Sequence, residues 1–307
     1  MEDGLTTTAL TSARHVGIVL GAMAQAFVTG CQSRAATPAG DLARYHLSAA
    51  PDSRITLPAE LREVSGLAAA PDGRLFAHGD EEGTLFELDP GSGKVLERFS
   101  LEPGATPVDP GKKPKEGQVT GDFEDLAIVG DRFFLVTSTG VLVEFHEGEN
   151  GAKVPFTTHP TTLGDTCEVE GLAYDSASES LLLLCKQMTE KTQRDRVEVH
   201  AWSLREQRIE SHPRWAVPFS ALAPVTGGKA FNGSALALVP GSASIVVVAG
   251  PQRLFAEIGA DGQPVAGGEL SRAALPQPEG IAFLPDGTLL VSSEGGKGEA
   301  AIAAYRP

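Results

Sequence analysis

The chain has 307 residues, 41% of them hydrophobic and 21% charged, with a formal net charge of −15. That length allows one large all-β domain or two smaller ones, and the negative charge excludes nucleic acid as a partner while favouring a cation or a neutral ligand. Gly (35) and Pro (21) are frequent, and beyond residue 30 helical periodicity is hard to find. Short apolar runs bounded by Gly, Asp, Pro and Ser recur instead, as in a protein made of short strands.

At the start of the chain, Arg14 and His15 precede VGIVLGAMAQAFVTGC, too short to span a bilayer comfortably but sized for a signal-peptide core. It ends in Val28-Thr29-Gly30-Cys31, which resembles the lipobox of bacterial lipoproteins. The resemblance implies a signal peptide over residues 1–30 and acyl chains on Cys31. A tether over 31–42 and a folded domain over 43–307 would follow, carried on the periplasmic or surface side of a bacterial cell envelope. Small residues dominate the tether, as a flexible spacer needs. A secretory signal with an incidental Cys is the alternative, and a start codon further along would shorten the long lead before the apolar core.

Five copies of one hexapeptide pattern follow: EVSGLA from residue 63, DFEDLA from 122, EVEGLA from 168, NGSALA from 232 and QPEGIA from 277. Each leads into a turn and a second apolar run, as in APDGRLFAHGD and FLPDGTLLVSSEGG. A third run often follows, for example GTLFELD, EVHAWSL or AAIAAYR. A fourth is readable in the first and fourth copies, as KVLERFSL and PVAGGELS. Asp72-Gly73 and Asp286-Gly287 are hairpin dipeptides that tolerate positive φ. A four-stranded unit recurring roughly every 45–65 residues is the signature of a β-propeller. The spacing therefore predicts an all-β, five-bladed propeller; a sixth blade would need another copy. Polar inserts at 104–119 and 189–196 fall on loops. The last copy is one strand short, and RYHLSAA or RITLP near the start would supply it, closing the ring through the two chain ends. The unit is read as a monomer.

EVSGLA, GDFEDLA, EVEGLAYD and QPEGIAFLPDGTLLVSSE resemble motifs of the SdiA-regulated propeller family, which is similar to esterase-like phytase domains. The resemblance covers roughly residues 55–305 and implies an exported propeller with a calcium site. More distantly, Glu-Gly-Leu-Ala is similar to the strand starts of gluconolactonase and paraoxonase-like propellers, where the Glu position binds a divalent cation in the central channel.

The innermost strands of a propeller line its channel, so their starts converge at one end. The first motif position supplies Glu63, Asp122, Glu168, Asn232 and Gln277, and the third supplies Ser65, Glu124, Glu170, Ser234 and Glu279. Residues two apart on a strand point the same way, which predicts two stacked layers. Converging carboxylates raise one another's pKa and need neutralising. Neither layer contains Lys or Arg, and a set of oxygen ligands points to Ca2+. The expected ligands are Glu124, Glu170 and Glu279, with Glu63 or Asp122 assisting. Without a metal, the same acids would solvate a water-filled mouth.

His78, in the loop HGDEEG, is the candidate general base if the chain is a calcium-dependent hydrolase of esters, lactones or phosphates; otherwise it is a hydrogen-bonded blade residue. The other reading is an envelope-anchored binding module with calcium as a structural plug. The third-position residues depart from the Asn or Asp of the gluconolactonase pattern, and no cluster of His marks a paraoxonase-like mechanism. Cys167 and Cys185 form a disulfide or remain two thiols. No GxSxG elbow, P-loop or zinc spacing occurs.

Overall fold

The structure is a computed structural model that describes residues 40–104, 108–109, 111–113 and 115–307. The signal peptide, Cys31 and most of the tether lie outside the described residues. Among the described residues no helix is long and apolar enough to cross a membrane.

The strands run in chain order as β1 (Ser53–Thr56), β2 (Val64–Ala69), β3 (Leu75–Gly79), β4 (Thr84–Leu88) and β5 (Val95–Leu101), followed by β6 (Phe123–Val129), β7 (Arg132–Thr137) and β8 (Val141–His146). Next come β9 (Lys153–Val154), β10 (Phe156–Pro160), β11 (Cys167–Asp175), β12 (Ser180–Met188), β13 (Arg196–Ser203), β14 (Arg208–Ile209) and β15 (Trp215–Pro218). A helix, α1 (Phe219–Thr226), precedes β16 (Ala235–Leu238), β17 (Ile245–Ala249), β18 (Leu254–Ile258) and β19 (Pro264–Glu269). The chain finishes with β20 (Pro278–Phe283), β21 (Leu289–Ser293) and β22 (Ala301–Tyr305).

These strands form five sheets, each opening on one copy of the repeat: β2-β3-β4-β5, β6-β7-β8-β10, β11-β12-β13 with β14 and β15 both on β13, β16-β17-β18-β19, and β20-β21-β22-β1. Their first strands neighbour one another in sequence, and β20 returns to lie beside β2. This is a five-bladed propeller. Five apolar clusters fill the five seams between blades. Phe76, Phe99, Phe133 and Phe145 pack the first seam, and Leu184, Val199, Leu236 and Val247 pack the third. Aromatic edges meet faces in the first seam, with the Phe76 and Phe133 centroids 5.0 Å apart. The second strands alternate their side chains between two such seams, as Leu182 and Leu184 face one and Leu181 and Leu183 the other, which is why continuous apolar runs such as LLLL and IVVV mark them.

The ring is closed by β1 pairing antiparallel with β22, Ile55 opposite Ile302. RITLP thus supplies the missing strand. RYHLSAA does not: its start belongs to a 3-10 turn over Asp41–Tyr45, whose Leu42 and Tyr45, with Leu47, fill the seam between the fourth and fifth blades. The buried carboxylate of Glu257 holds this segment, accepting the Asp41 N–H at 3.2 Å, the Leu42 N–H at 3.0 Å and the Ser244 hydroxyl at 2.8 Å. The predicted hairpins form, with Gly73 at φ 92 and Gly287 at φ 87.

Three features depart from the expectation. The second blade takes FTTHP as its fourth strand, a polar, Pro-ended segment with no apolar run to announce it. Lys153–Val154 leaves that blade to pair in parallel with β5 of the first. The helix α1 was not foreseen because it is eight residues long and contains Pro224, too short for a helical period to emerge. It ends at Gly227, whose φ of 70 is the left-handed cap conformation.

Candidate functional site

At the start of four of the five innermost strands the ladder is irregular, β16 being the regular one. Register shifts lie between Val64 and Gly66, Phe123 and Asp125, Val169 and Gly171, and Pro278 and Ile281. The third motif residue is the extra one in these bulges, and a bulge re-aims its side chain. The two layers are therefore not equivalent stacked rings. The side chain of Glu170 is 5% exposed and that of Glu168 is 48% exposed. Ser65 and Ser234 are buried. Ser234 is committed to the backbone, donating to Pro278 O at 3.2 Å and accepting the Gly250 N–H at 3.0 Å.

Glu170 lies near enough to Glu124 and to Glu279, each from a different blade, to raise the pKa of both. Burial, followed by repulsion from Glu170 and Asp122, raises the Glu124 pKa far above the carboxylate range. Burial also raises Glu170, although Lys186 opposes the shift. Glu279 is pushed up to about 8, by burial first and by Glu294 and Glu170 next.

Neither layer contains Lys or Arg, but Lys186 brings a basic group to the acids from outside both layers. It stands at the end of β12, ion-paired with Glu170, and lies 3.4 Å from Glu168. Burial works against its charge, but Glu170 and Glu168 more than offset this and its pKa rises. Sequence reasoning missed it because it belongs to a second strand; the signal was the loop CKQ, which returns to the same end of the channel. Asp122 is likewise matched, by Lys112 and by the Ser138 hydroxyl at 2.7 Å. Asn232 accepts from Gln252 at 2.8 Å, and Gln277 bonds Glu294. Glu63 stands apart from Glu124, on the side of the mouth where it raises Asp80 and Glu294.

The carboxylates have the chemistry of a calcium site but not its arrangement. Among the described residues no three or more His, Cys, Asp or Glu side chains are grouped so as to hold a metal ion, and an ammonium occupies the Glu170 carboxylate. A divalent ion would fit here only after Lys186 withdrew.

His78 does not open onto the mouth. It is fully buried, and burial lowers its pKa to about 4. Its Nδ1 lies 2.9 Å from Gly79 O, so Nδ1 carries the proton; Nε2 has no hydrogen-bond partner among the described residues. The ring packs where Gly66 leaves room, since a Cβ on Gly66 would lie 2.4 Å from Nε2.

Asp125, at the fourth motif position, was not foreseen as important. The other copies have Gly66, Gly171, Ala235 and Gly280 there, where adjacent backbones touch: a Cβ on Gly280 would lie 2.9 Å from Leu67 N. A lone acid among four small residues was the available signal. Below this level the channel turns aliphatic, with a cavity of about 300 Å³ lined by Leu67, Leu126, Leu172, Leu236 and Ile281. Cys167 and Cys185 are joined in a disulfide with Cα atoms 5.6 Å apart.

No family model matches the chain, and no curated protein matches it. Among solved structures it is similar to a glutaminyl cyclase from Myxococcus xanthus, 16% identical with a TM-score of 0.52, covering 83% of this chain and 94% of that one. A luciferin-regenerating enzyme (11% identical, TM-score 0.49, 83% and 95% covered) and the PQQ-bound aldose sugar dehydrogenase of Streptomyces coelicolor (13% identical, TM-score 0.46, 83% and 99% covered) also match. At these identities the likeness to the cyclase establishes a shared fold and leaves function to the site.

Proposed function

We propose that the chain is a ligand-binding propeller whose acidic channel mouth receives a cationic group in exchange for Lys186. Ca2+ is the inorganic candidate and a primary ammonium, the group that Lys186 already offers, the organic one. The observation that carries this reading is the nearness of Glu170 to Glu124 and to Glu279, from three blades, with burial raising the pKa of each. Such a site is costly until a positive charge enters it. Lipidation of Cys31, an envelope location, a monomeric state and kinship to the SdiA-regulated propellers belong to the same proposal and rest on the sequence motifs. The hydrolase alternative draws no support from His78, which is sealed from the mouth.

Calorimetric titration of EDTA-treated protein with Ca2+ and with methylammonium tests the reading. Lys186→Met removes the internal competitor and should tighten cation binding at least tenfold, whereas Glu170→Gln should abolish it. Heat from neither cation, in both the native protein and Lys186→Met, would overturn the proposal.

A further inference from the structure

The sequence contains two asparagines, Asn150 and Asn232, and each is followed by Gly. An Asn-Gly step can close on itself. The glycine nitrogen attacks the asparagine side-chain carbonyl carbon, and the side-chain nitrogen leaves as ammonia, taking the glycine amide proton. Water then opens the cyclic imide at one of its two carbonyls, leaving aspartate or isoaspartate. Glycine favours the closure because it has no Cβ to shield its nitrogen. The two sites differ in how these groups are held. Asn150 lies on an exposed turn, but the Gly151 N–H donates to Arg98 O at 2.7 Å and Asn150 Oδ1 accepts the Arg98 N–H at 3.1 Å. Closure there would break a strap between the first two blades.

Asn232 is the first motif residue of the fourth blade, and the N–H of the buried Gly233 after it has no hydrogen-bond partner among the described residues. A buried backbone N–H in that state is rare. The carbonyl to be attacked is polarised, because Gln252 Nε2 donates to Asn232 Oδ1 at 2.8 Å, while Gln252 Oε1 accepts the Asn232 N–H at 3.0 Å. The leaving nitrogen is held weakly, by a donation to Lys186 O at 3.5 Å. Packing demands the glycine, since a Cβ on Gly233 would lie 2.8 Å from Leu184 Cδ2. We propose that Asn232-Gly233 is a self-modification site, which converts with age into an acidic residue at the channel mouth. The product sets a carboxylate where the amide met Lys186, the residue whose ammonium neutralises Glu170. Its effect on ligands rests on the reading of the mouth as a cation site.

The native protein is aged at mildly alkaline pH, digested and mapped by mass spectrometry, with Asn150 as the internal standard. Asn232 should exchange NH2 for OH at least about fivefold faster than Asn150, the worth of the hydrogen bond that holds Gly151. Asn232→Gln, which would have to close a larger ring, should stay unmodified at that position. Asn232→Asp stands for the aspartate product, and calorimetry should show it binding Ca2+ or methylammonium about tenfold more tightly than the unaged native protein. Asn232 left intact, or modified no faster than Asn150, overturns the modification. Equal affinities of Asn232→Asp and the unaged protein overturn its role at the mouth. Heat from neither cation in either protein, with the mass change present, removes the cation reading and leaves the modification standing.

Discussion

Asp125 Oδ2 accepts the backbone N–H of Leu172 at 2.8 Å, joining the second blade to the third at the channel wall, while Oδ1 accepts the Leu126 N–H at 2.8 Å. Burial raises this carboxyl well above its ordinary range, and the two hydrogen bonds oppose the shift. Asp125→Ala leaves two buried N–H groups unpaired and should cost about 2–3 kcal/mol. Asp125→Asn keeps one acceptor and should lose less. Urea unfolding midpoints of the two variants provide the check.

The mouth makes stability depend on pH. The Glu279 pKa rises in the folded state from 4.5 to about 8, so its contribution is full below pH 4.5 and lost as pH rises through about 8. Glu170 shifts in the same direction. In EDTA, the melting temperature should therefore fall between pH 6 and pH 9, and Glu279→Gln should flatten that fall. A native protein equally stable at both pH values would contradict the assignment.

The disulfide brackets the ion pair. Glu168 follows Cys167, Lys186 follows Cys185, and two register shifts fall between Glu168 and Gly171. Replacing both cysteines by Ser should cost about 3 kcal/mol, the scale for a closed loop of this size. It should also loosen Lys186 from Glu170. Denaturant titration reads the first effect, and the Lys186 Nζ resonance, freed to exchange faster with water, reads the second.

Glu257 fastens the entry segment. Glu257→Ala should release the Asp41 and Leu42 amides and lower stability by about 1–2 kcal/mol. Hydrogen exchange over residues 40–47 should accelerate while that of β17 stays slow. Unchanged protection would mean that Leu42, Tyr45 and Leu47 hold the segment by packing alone.

Blade number and ring closure were legible because five copies of one motif repeat the same burial demand, and because the last copy lacks a strand. The shared place of Glu124, Glu170 and Glu279 near the starts of three innermost strands was legible for the same reason, since a repeated motif occupies the same position in each blade. What stayed hidden depends on contacts between copies or on departures from strict alternation. A period of two assigns Glu168 and Glu170 to one direction, and both do reach Lys186, but the period does not show that Glu170 is buried while Glu168 is exposed. Lys186 belongs to a different strand from the acids it neutralises, so no scan of the motif finds it. His78 reads as a loop residue until its pairing with Gly66 places it inside β3.

The join between Ser53–Thr56 and Ala301–Tyr305 also sets a timetable. A chain emerging from its N-terminus carries β1 unpaired until all five copies of the repeat have been made, since its partner β22 belongs to the fifth. Until then the incomplete circle exposes two raw sheet borders, which invite pairing with other chains. Loss of Ala301–Tyr305 would thus leave the molecule permanently open.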